Sequence, residues 1–240
     1  MKRDAEDNFV MTGAAPDEVW PLVRDYHYSR RMPSNIQHCY AVRECGGLFG
    51  DYGDNIVAAC VFAIPPAKRR EPVLELSRLV RGPSCETPMS ALISFGCAHL
   101  RKNGHALVVS FADWTQHHHG GVYQAAGWMY DGLRDPATDG IFVDGKFFPD
   151  RTCNHKWGTR SPDKLRELMP GKVIEKHYDE GKHLYWKSLN VAGKTRAKRL
   201  GLKSLPYPKP NNATCPSDAP LPSGVSAEHP REVAPDSGAT

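Results

Sequence analysis

The stretch SFADWTQHHHGGVYQAAGWMYDG, residues 110–132, joins a buried strand to a short helix rich in small residues. Asp113 and three consecutive histidines lie at the junction, and Tyr123 follows in the helix. In open α/β sheets, ligands bind at the carboxyl ends of the strands. The stretch therefore predicts a functional site where this strand ends.

The segments before this stretch predict an α/β fold. EPVLELSRLVRG (71–82) predicts a strand, and SCETPMSALISFGCAHLRKNG (84–104) predicts an amphipathic helix with a glycine stop. Nearer the N-terminus we expect a helix from about Pro16 to near His27, then a β-hairpin within residues 38–66. The order of elements indicates one α/β domain that contains a strand-helix-strand unit.

The C-terminal part predicts a short capped helix from Ser161, followed by a hairpin across residues 179–181. Residues 206–240 hold eight of the 20 prolines and almost no large apolar side chains. Such a segment buries too little surface to offset the entropy of ordering. We therefore expect a folded domain over residues 1–205, with a basic extension at about 190–205, and a disordered proline-rich tail over 206–240.

Basic residues occur in clusters within a chain of formal net charge +4. Because the tail is acidic, the folded part is more basic than this value. The clusters predict contacts with double-stranded DNA, and a solvated charged face is the alternative. The candidate DNA-binding residues are Arg30, Arg31, Lys68, Arg69, Arg70, Lys194, Arg196, Lys198 and Arg199.

The cysteines and the hydropathy pattern predict a cytoplasmic protein. Seven cysteines are scattered without a CxxC pair or zinc-ligand spacing, which is typical of a reduced chain. We see no signal segment at the start and no apolar run of about 18 residues, so we expect no membrane partner.

The unit from residue 71 to residue 132 resembles the core of the GNAT acyltransferase superfamily, with a strand, a long helix, a strand and a helix that ends in an aromatic-flanked glycine. Tyr123, Gly127 and Trp128 match the superfamily's Y-x-x-x-G-[FW] segment. The resemblance implies a mixed, largely antiparallel central sheet flanked by helices. It also implies that Tyr123 is a general acid, for which a core aromatic is the alternative.

The loop RGPSCETPMS (81–90) departs from the GNAT pattern. GNAT enzymes usually carry a glycine-rich turn here, whose N–H groups bind a pyrophosphate at the helix N-terminus. This loop has one glycine, two prolines and an acid. Acyl-CoA is thus a candidate small-molecule donor whose usual phosphate-binding loop is absent.

Four motifs in sequential order resemble the bacteriophage Mom family over about residues 20–189. Members of this family are GNAT-like proteins that modify adenine in phage DNA and protect it from host restriction. The resemblance implies a transferase that converts adenine to N6-methylcarbamoyladenine in the bacterial host cell. The motifs are DYHYSRRMP (25–33), LELSRLV (74–80), SFAD (110–113) followed by HHGGVYQAAGW (118–128), and KHLYWKSL (182–189).

Asp113 is the candidate base for this chemistry. The exocyclic amine of adenine is a poor nucleophile, because its lone pair is delocalised into the ring, so its attack on a carbonyl needs a base. Asp113 follows the strand directly, and capping of the next helix is the alternative role.

Other candidate residues accompany Asp113 and Tyr123. His27 and Tyr28 match a Mom-family motif and could orient the extruded base, stack on it or ligate a metal. Arg78, with Ser77, is placed to hold a phosphate or a developing oxyanion, and a structural ion pair with Glu75 or Asp113 is the alternative. Gly120 and Gly121 are further candidates for binding the substrate or donor.

A metal site is a further hypothesis. Three adjacent histidines in an extended segment cannot all bind one ion, because alternate side chains face opposite ways. Two of them with Asp113 and His27 would approach a two-His-one-carboxylate site for iron or another transition metal. The candidates are His27, Asp113, His117, His118 and His119.

Two other functions compete with DNA modification. One is an acyl-CoA-dependent N-acetyltransferase acting on a small amine or a protein. The other is a catalytically inactive DNA-binding module, in which changing Asp113 or Tyr123 would alter nothing measurable.

Overall fold

The computed structural model describes residues 9–45, 52–66, 70–113, 118–135, 138–178 and 181–208. All of them belong to one compact unit, Met1–Pro208. Residues 209–240, which hold most of the predicted tail, lie outside the described residues, as do Lys68, Arg69 and His117. No helix in the described part is both long and apolar enough to cross a membrane.

The described part of the chain forms ten strands and six helices. The strands are β1 (Phe9–Ala14), β2 (Ile36–Cys45), β3 (Tyr52–Ala63), β4 (Leu74–Arg81), β5 (Leu107–Asp113), β6 (Met129–Arg134), β7 (Thr138–Val143), β8 (Lys146–Pro149), β9 (Ile174–Tyr178) and β10 (Lys182–Ser188). The helices are α1 (Pro16–Tyr26), α2 (Met89–Lys102), α3 (Gly121–Ala125), α4 (Asp150–Trp157), α5 (Pro162–Leu168) and α6 (Val191–Arg199).

The main sheet has seven strands in the order β1-β2-β3-β4-β5-β10-β6. Among these described strands β4 and β5 are parallel, and the other neighbouring pairs are antiparallel. The parallel pair arises because α2 carries the chain back across the sheet between them. The predicted mixed, largely antiparallel sheet and its strand-helix-strand unit are confirmed.

Helices cover both faces of the main sheet. On one face α2 and α3 bury Leu92 and Tyr123 against the sheet. On the other face α1 buries Val19 and α6 buries Ala197 in two smaller clusters. Each large apolar side chain buried in this way stabilises the fold by roughly 1.5–3 kcal/mol. The predicted α1 and α2 follow from this apolar spacing.

Strands β4 and β5 separate toward their carboxyl ends. They are paired through only two described residue pairs, the last of which is Glu75 with Val109. Beyond this point β4 stays with β3, and β5 stays with β10 as far as Asp113. Ser77 is an extra residue in β4 relative to β3, a β-bulge that places Arg78 on the face covered by α1. The divergence leaves a gap in the sheet beside the predicted site.

The predicted hairpin across residues 179–181 is wrong. Strand β9 pairs with β7 in a separate three-stranded sheet of order β8-β7-β9, whereas β10 joins the main sheet between β5 and β6. The burial of the two strands explains the split. In β10, His183, Leu184 and Tyr185 are buried, while in β9 Ile174 is buried and its neighbours are largely exposed. The small sheet closes its own core against α4 and α5.

Candidate functional site

The turn after α1 brings His27 and Tyr28 to the gap between β4 and β5. Helix α1 ends at Tyr26, where His27 takes an extended backbone. The carbonyl of His27 accepts a hydrogen bond from the N–H of Arg30 (2.8 Å), which closes a tight turn. The His27 and Tyr28 rings stack with their centroids 4.5 Å apart. The motif is therefore a preformed pair of rings.

His27 is neutral at physiological pH. Its side chain is 8% exposed, and burial lowers its pKa to about 4, with smaller effects from the charges of Arg78 and His118. The Nδ1 atom accepts a hydrogen bond from the backbone N–H of Ser29 at 3.1 Å. A neutral imidazole that accepts at Nδ1 carries its proton on Nε2. This arrangement makes Nε2–H a hydrogen-bond donor and disfavours Nε2 as a metal ligand.

Tyr28 is close to the charged residues of the site. Its side chain is 54% exposed, and its ring meets that of His118 edge-on at 6.2 Å. Partial burial raises the pKa of the phenol, and the carboxylate of Asp113 raises it further. The structure thus brings Tyr28 and Asp113 near each other from opposite sides of the gap.

Arg78 holds the turn after α1 against β4. Its Nε donates to the carbonyl of Arg31 at 2.7 Å, and its Nη1 donates to the carbonyl of Ser77 at 2.6 Å. Burial lowers the pKa of the guanidinium. Two of its N–H groups are therefore used by the backbone, which gives Arg78 a structural role beside any contact with a ligand.

Tyr123 lies within the gap and is joined to Ser110. Its hydroxyl is 2.9 Å from Ser110 Oγ, which is 2.8 Å from the carbonyl of Leu76. A carbonyl only accepts, so Ser110 donates to Leu76 and accepts from Tyr123. Burial raises the pKa of Tyr123 to about 12. Sequence reasoning missed Ser110, although a serine inside the buried strand LVVSFAD was a signal.

The two candidate glycines pack against other parts of the site. Gly120 has φ +82°, and a Cβ atom there would overlap the ring of Tyr185. The Tyr185 hydroxyl donates to the carbonyl of His119 at 2.6 Å. At Gly121 a Cβ atom would lie 2.8 Å from the His119 imidazole. Gly120 therefore needs the absence of a side chain, whereas at Gly121 a shift of the His119 imidazole would make room for one.

The imidazoles spread over the site and do not converge on one point. His118 lies beside Tyr28, whereas His119 influences His183, a buried residue that sequence reasoning missed. His183 Nδ1 is 2.7 Å from the hydroxyl of Tyr130. Among the described residues no group of three His, Cys, Asp or Glu side chains is arranged to hold a metal ion. The candidate ligand His117 lies outside that part of the chain.

The loop before α2 is closed by its own arginine. Both Nε and Nη2 of Arg81 donate to the carbonyl of Cys85, at 2.9 and 2.6 Å. Pro88, at the N-cap of α2, has no N–H to offer a phosphate. The departure from the usual pyrophosphate turn therefore persists in three dimensions.

The candidate DNA-binding residues lie in two regions. Arg30 and Arg31 are exposed in the turn beside His27, and Arg70 is exposed before β4. Helix α6, which follows β10, carries Lys194, Arg196, Lys198 and Arg199, and Arg70 is next in sequence to Glu71, which pairs with α6. Lys68 and Arg69 lie outside the described residues. The structure does not bring all of the described candidates onto one surface.

The fold and the site define a GNAT-like protein, with a β4-α2-β5-α3 core, diverging strands and polar side chains at the gap. The chain matches the model of the Mom protein family over residues 8–209, and it belongs to that family. The family and fold predictions are confirmed, while the roles of individual site residues stay predictions.

Several solved acetyltransferases are similar to this chain. One from Bacillus subtilis, in complex with CoA, is 12% identical, with 76% of this chain and 99% of that chain covered and a TM-score of 0.44. An N-acetyltransferase from Staphylococcus aureus is 13% identical, with 75% and 97% covered and a TM-score of 0.46. A GNAT family N-acetyltransferase from Escherichia coli, in complex with CoA, is 10% identical, with 80% and 88% covered and a TM-score of 0.44. A search of curated proteins finds none that matches.

Proposed function

We propose that this protein is a transferase that modifies the exocyclic amine of adenine in double-stranded DNA to the N6-methylcarbamoyl form and so protects phage DNA from host restriction. The observation that supports this best is the convergence of Tyr28 and Asp113 at the gap where β4 and β5 separate. Family membership supports the same reaction class.

The base must leave the duplex before its amine can react. Extrusion costs a few kcal/mol, which stacking and phosphate contacts offset. The half-exposed ring of Tyr28 offers a stacking surface, and His27 Nε2–H offers a donor for a ring nitrogen or a developing oxyanion. Arg30 and Arg31 are exposed two and three residues after Tyr28, and in this proposal they contact the flanking phosphates.

Asp113 and Tyr123 divide the proton transfers in this proposal. Asp113 accepts the proton from the amine as the new bond forms. Tyr123, protonated because its pKa is about 12, gives its proton to the leaving group. Ser110 can then turn its O–H from the Leu76 carbonyl to the phenolate, because both lie within 2.9 Å of its oxygen.

The donor is a small molecule, for which acyl-CoA is a candidate. The methylcarbamoyl group has nitrogen on both sides of its carbonyl, and a simple acyl thioester does not supply the second nitrogen. The donor therefore has to carry the methylamino nitrogen on its carbonyl already, and its leaving group departs with the proton that Tyr123 supplies.

The direct test is mass spectrometry of nucleosides from the DNA of bacteria that express the chain. We expect a modified deoxyadenosine, which Asp113→Asn abolishes and Asp163→Asn, an exposed control on α5, leaves unchanged. Unaltered deoxyadenosine in cells with folded protein would overturn the proposal.

Binding and activity measurements on the purified protein separate the competing functions. Calorimetric binding of acetyl-CoA with acetylation of a small amine, and no DNA requirement, would favour the N-acetyltransferase. Salt-dependent DNA binding without modification, unchanged by Asp113→Asn, would favour an inactive DNA-binding module.

A further inference from the structure

Helix α6 is fixed against the main sheet by its small residues. Ala197 is 2% exposed, and at Gly193 a Cβ atom would overlap the carbonyl of Ala106. The side chain of Asn190 caps the helix by accepting from the N–H of Gly193 at 3.0 Å. These contacts set which sides of α6 point away from the sheet.

The side chains of the four basic residues of α6 extend from two opposite sides of the helix. Arg196 and Arg199 lie toward Glu71, with nitrogen–oxygen distances of 4.0 and 3.3 Å. Lys194 and Lys198 lie one turn apart on the other side and are exposed. Neither lysine forms an ion pair with any residue in the described part of the chain. Glu71 thus offsets one of the two charges on the arginine side, whereas both charges on the lysine side are without an acidic partner among the described residues.

Lys194 and Lys198 line a groove between α6 and the edge of the main sheet. The groove has a volume of about 570 Å³, and Lys187 of β10 forms part of its opposite wall. The ammonium group of Lys187 donates to the carbonyl of Ala126 at 2.5 Å, which holds it in place without removing its charge. No acidic residue is present among the described residues that line the groove.

The acid of the edge strand β6 is already engaged. Asp131, buried on β6, accepts from the backbone N–H of Lys203 and pairs with Arg134. Trp186, on the groove wall, donates its indole N–H to the carbonyl of Lys203 at 2.6 Å. The wall is therefore held by internal hydrogen bonds, and the two lysines of α6 line a preformed space.

We propose that this groove binds the phosphate backbone of a nucleic acid through Lys194 and Lys198. A lysine ammonium is a compact charge that suits a phosphate in any orientation, and such contacts carry no base preference. The charge of the groove indicates that the partner carries phosphates, while the assignment of that partner as duplex DNA rests on the proposed function.

The position of the groove fits one duplex that also reaches the candidate site. Lys182 pairs with Asp113 across the sheet, and Lys187 follows five positions later in β10. At about 3.3 Å per residue the two ends of β10 are roughly 17 Å apart. Along one DNA strand this distance corresponds to about five nucleotides at 3.4 Å each. An extruded base and its neighbouring backbone can therefore be held at opposite ends of β10.

The test compares two double variants that remove the same charge from the same helix. Lys194→Ala with Lys198→Ala empties one side of α6, and Arg196→Ala with Arg199→Ala empties the other. Binding of a labelled DNA duplex is measured by fluorescence anisotropy between about 50 and 200 mM salt. We expect the lysine variant to reduce the magnitude of the salt slope by about two units. The arginine variant should change the slope less, because Glu71 offsets part of the charge that it removes.

Each other outcome has a distinct meaning. Equal slopes in the two double variants would show a general charge effect and overturn the groove, as would an unchanged slope in the lysine variant. If ATP at matched ionic strength displaces the duplex from the parent and fails to bind the lysine variant, the groove is a site for soluble nucleotides. If the parent protein binds no duplex, the result counts against the proposed function as well. If the lysine variant binds the duplex as tightly as the parent and still modifies DNA, the result counts against the groove alone.

Discussion

The hydroxyl of Tyr123 donates to Ser110 at the point where β4 and β5 separate, at a distance of 2.9 Å. The carbonyl of Leu76 lies just beyond the last β4–β5 pair, and Ser110 satisfies it with its own O–H. Ser110 thus links β5 to β4 where the two strands begin to separate, and it orients the Tyr123 hydroxyl. The structural and catalytic roles of this pair can be separated by substitution.

Tyr123→Phe should abolish modification while leaving the fold nearly intact. The variant keeps the buried ring and the Ser110–Leu76 hydrogen bond, so we expect a loss of only about 1 kcal/mol in the free energy of unfolding. General acid catalysis contributes about 10²–10⁴-fold, so the loss of modification should fall in that range. Quantitative nucleoside analysis and thermal unfolding check the two expectations. Tyr178→Phe, on the exposed side of β9, is the control; full activity in Tyr123→Phe contradicts the role.

Ser110→Ala should have the reverse balance. It leaves the Leu76 carbonyl and the Tyr123 hydroxyl without their partner inside the protein, which costs about 1–3 kcal/mol. Because Tyr123 keeps its proton, we expect a partial rather than complete loss of modification. Chemical denaturation measures the first effect. A variant as stable as the parent would show that the hydrogen bonds of Ser110 to Tyr123 and Leu76 contribute nothing to the free energy of unfolding.

Gly120→Ala should lower the stability of the protein, because the new Cβ atom displaces the ring of Tyr185. Gly120 and Gly104 share a φ of +82°, but only the first faces a neighbouring ring, while at Gly104 nothing lies within 4 Å. Gly104→Ala therefore measures the backbone strain alone, about 1–2 kcal/mol. We expect Gly120→Ala to lose clearly more in thermal unfolding, because the Tyr185 ring must also move. Equal losses would mean that Tyr185 adapts freely.

His38 and His105 should make stability fall in acid. Their Nε2 atoms are 2.9 Å apart, and burial is the main cause that lowers the pKa of each below its ordinary value of 6.5. Each also feels a positive charge: His38 that of His105, and His105 that of Arg196. The unfolded chain therefore binds protons first as pH falls, so the stabilisation is complete above about pH 6.5 and is lost below it.

Melting temperatures measured from about pH 8 to about pH 5 test this expectation. His38→Gln should flatten the acid limb, because a second proton can no longer place two N–H groups face to face. His155→Gln, an exposed position on α4, should retain the slope of the parent. An unchanged slope in His38→Gln would exclude the pair as the cause.

The sequence predicted the main sheet better than the insertion within it. Alternation and continuous apolar runs identify β4 and β5, because burial on both faces leaves a strong pattern. The small sheet between β6 and β10 escaped, since β9 has one buried position and reads as a partner for the next strand. Motif matching found Tyr28 and Asp113 but not Ser110 or His183, whose roles depend on partners distant in the chain.

The C-terminal boundary of the fold should lie just after Tyr207. Its hydroxyl donates to the carbonyl of Trp128 at 2.7 Å, and the N–H of Leu205 donates to the carbonyl of Tyr130 at 2.8 Å. Deleting residues 209–240 removes an acidic, proline-rich segment with little apolar surface, so we expect unchanged melting and unchanged modification. Deleting 205–240 also removes both hydrogen bonds beside β6 and should lower the free energy of unfolding by about 1–3 kcal/mol. Loss of modification in a folded protein that lacks only residues 209–240 would contradict this boundary, as would equal melting of the two truncations.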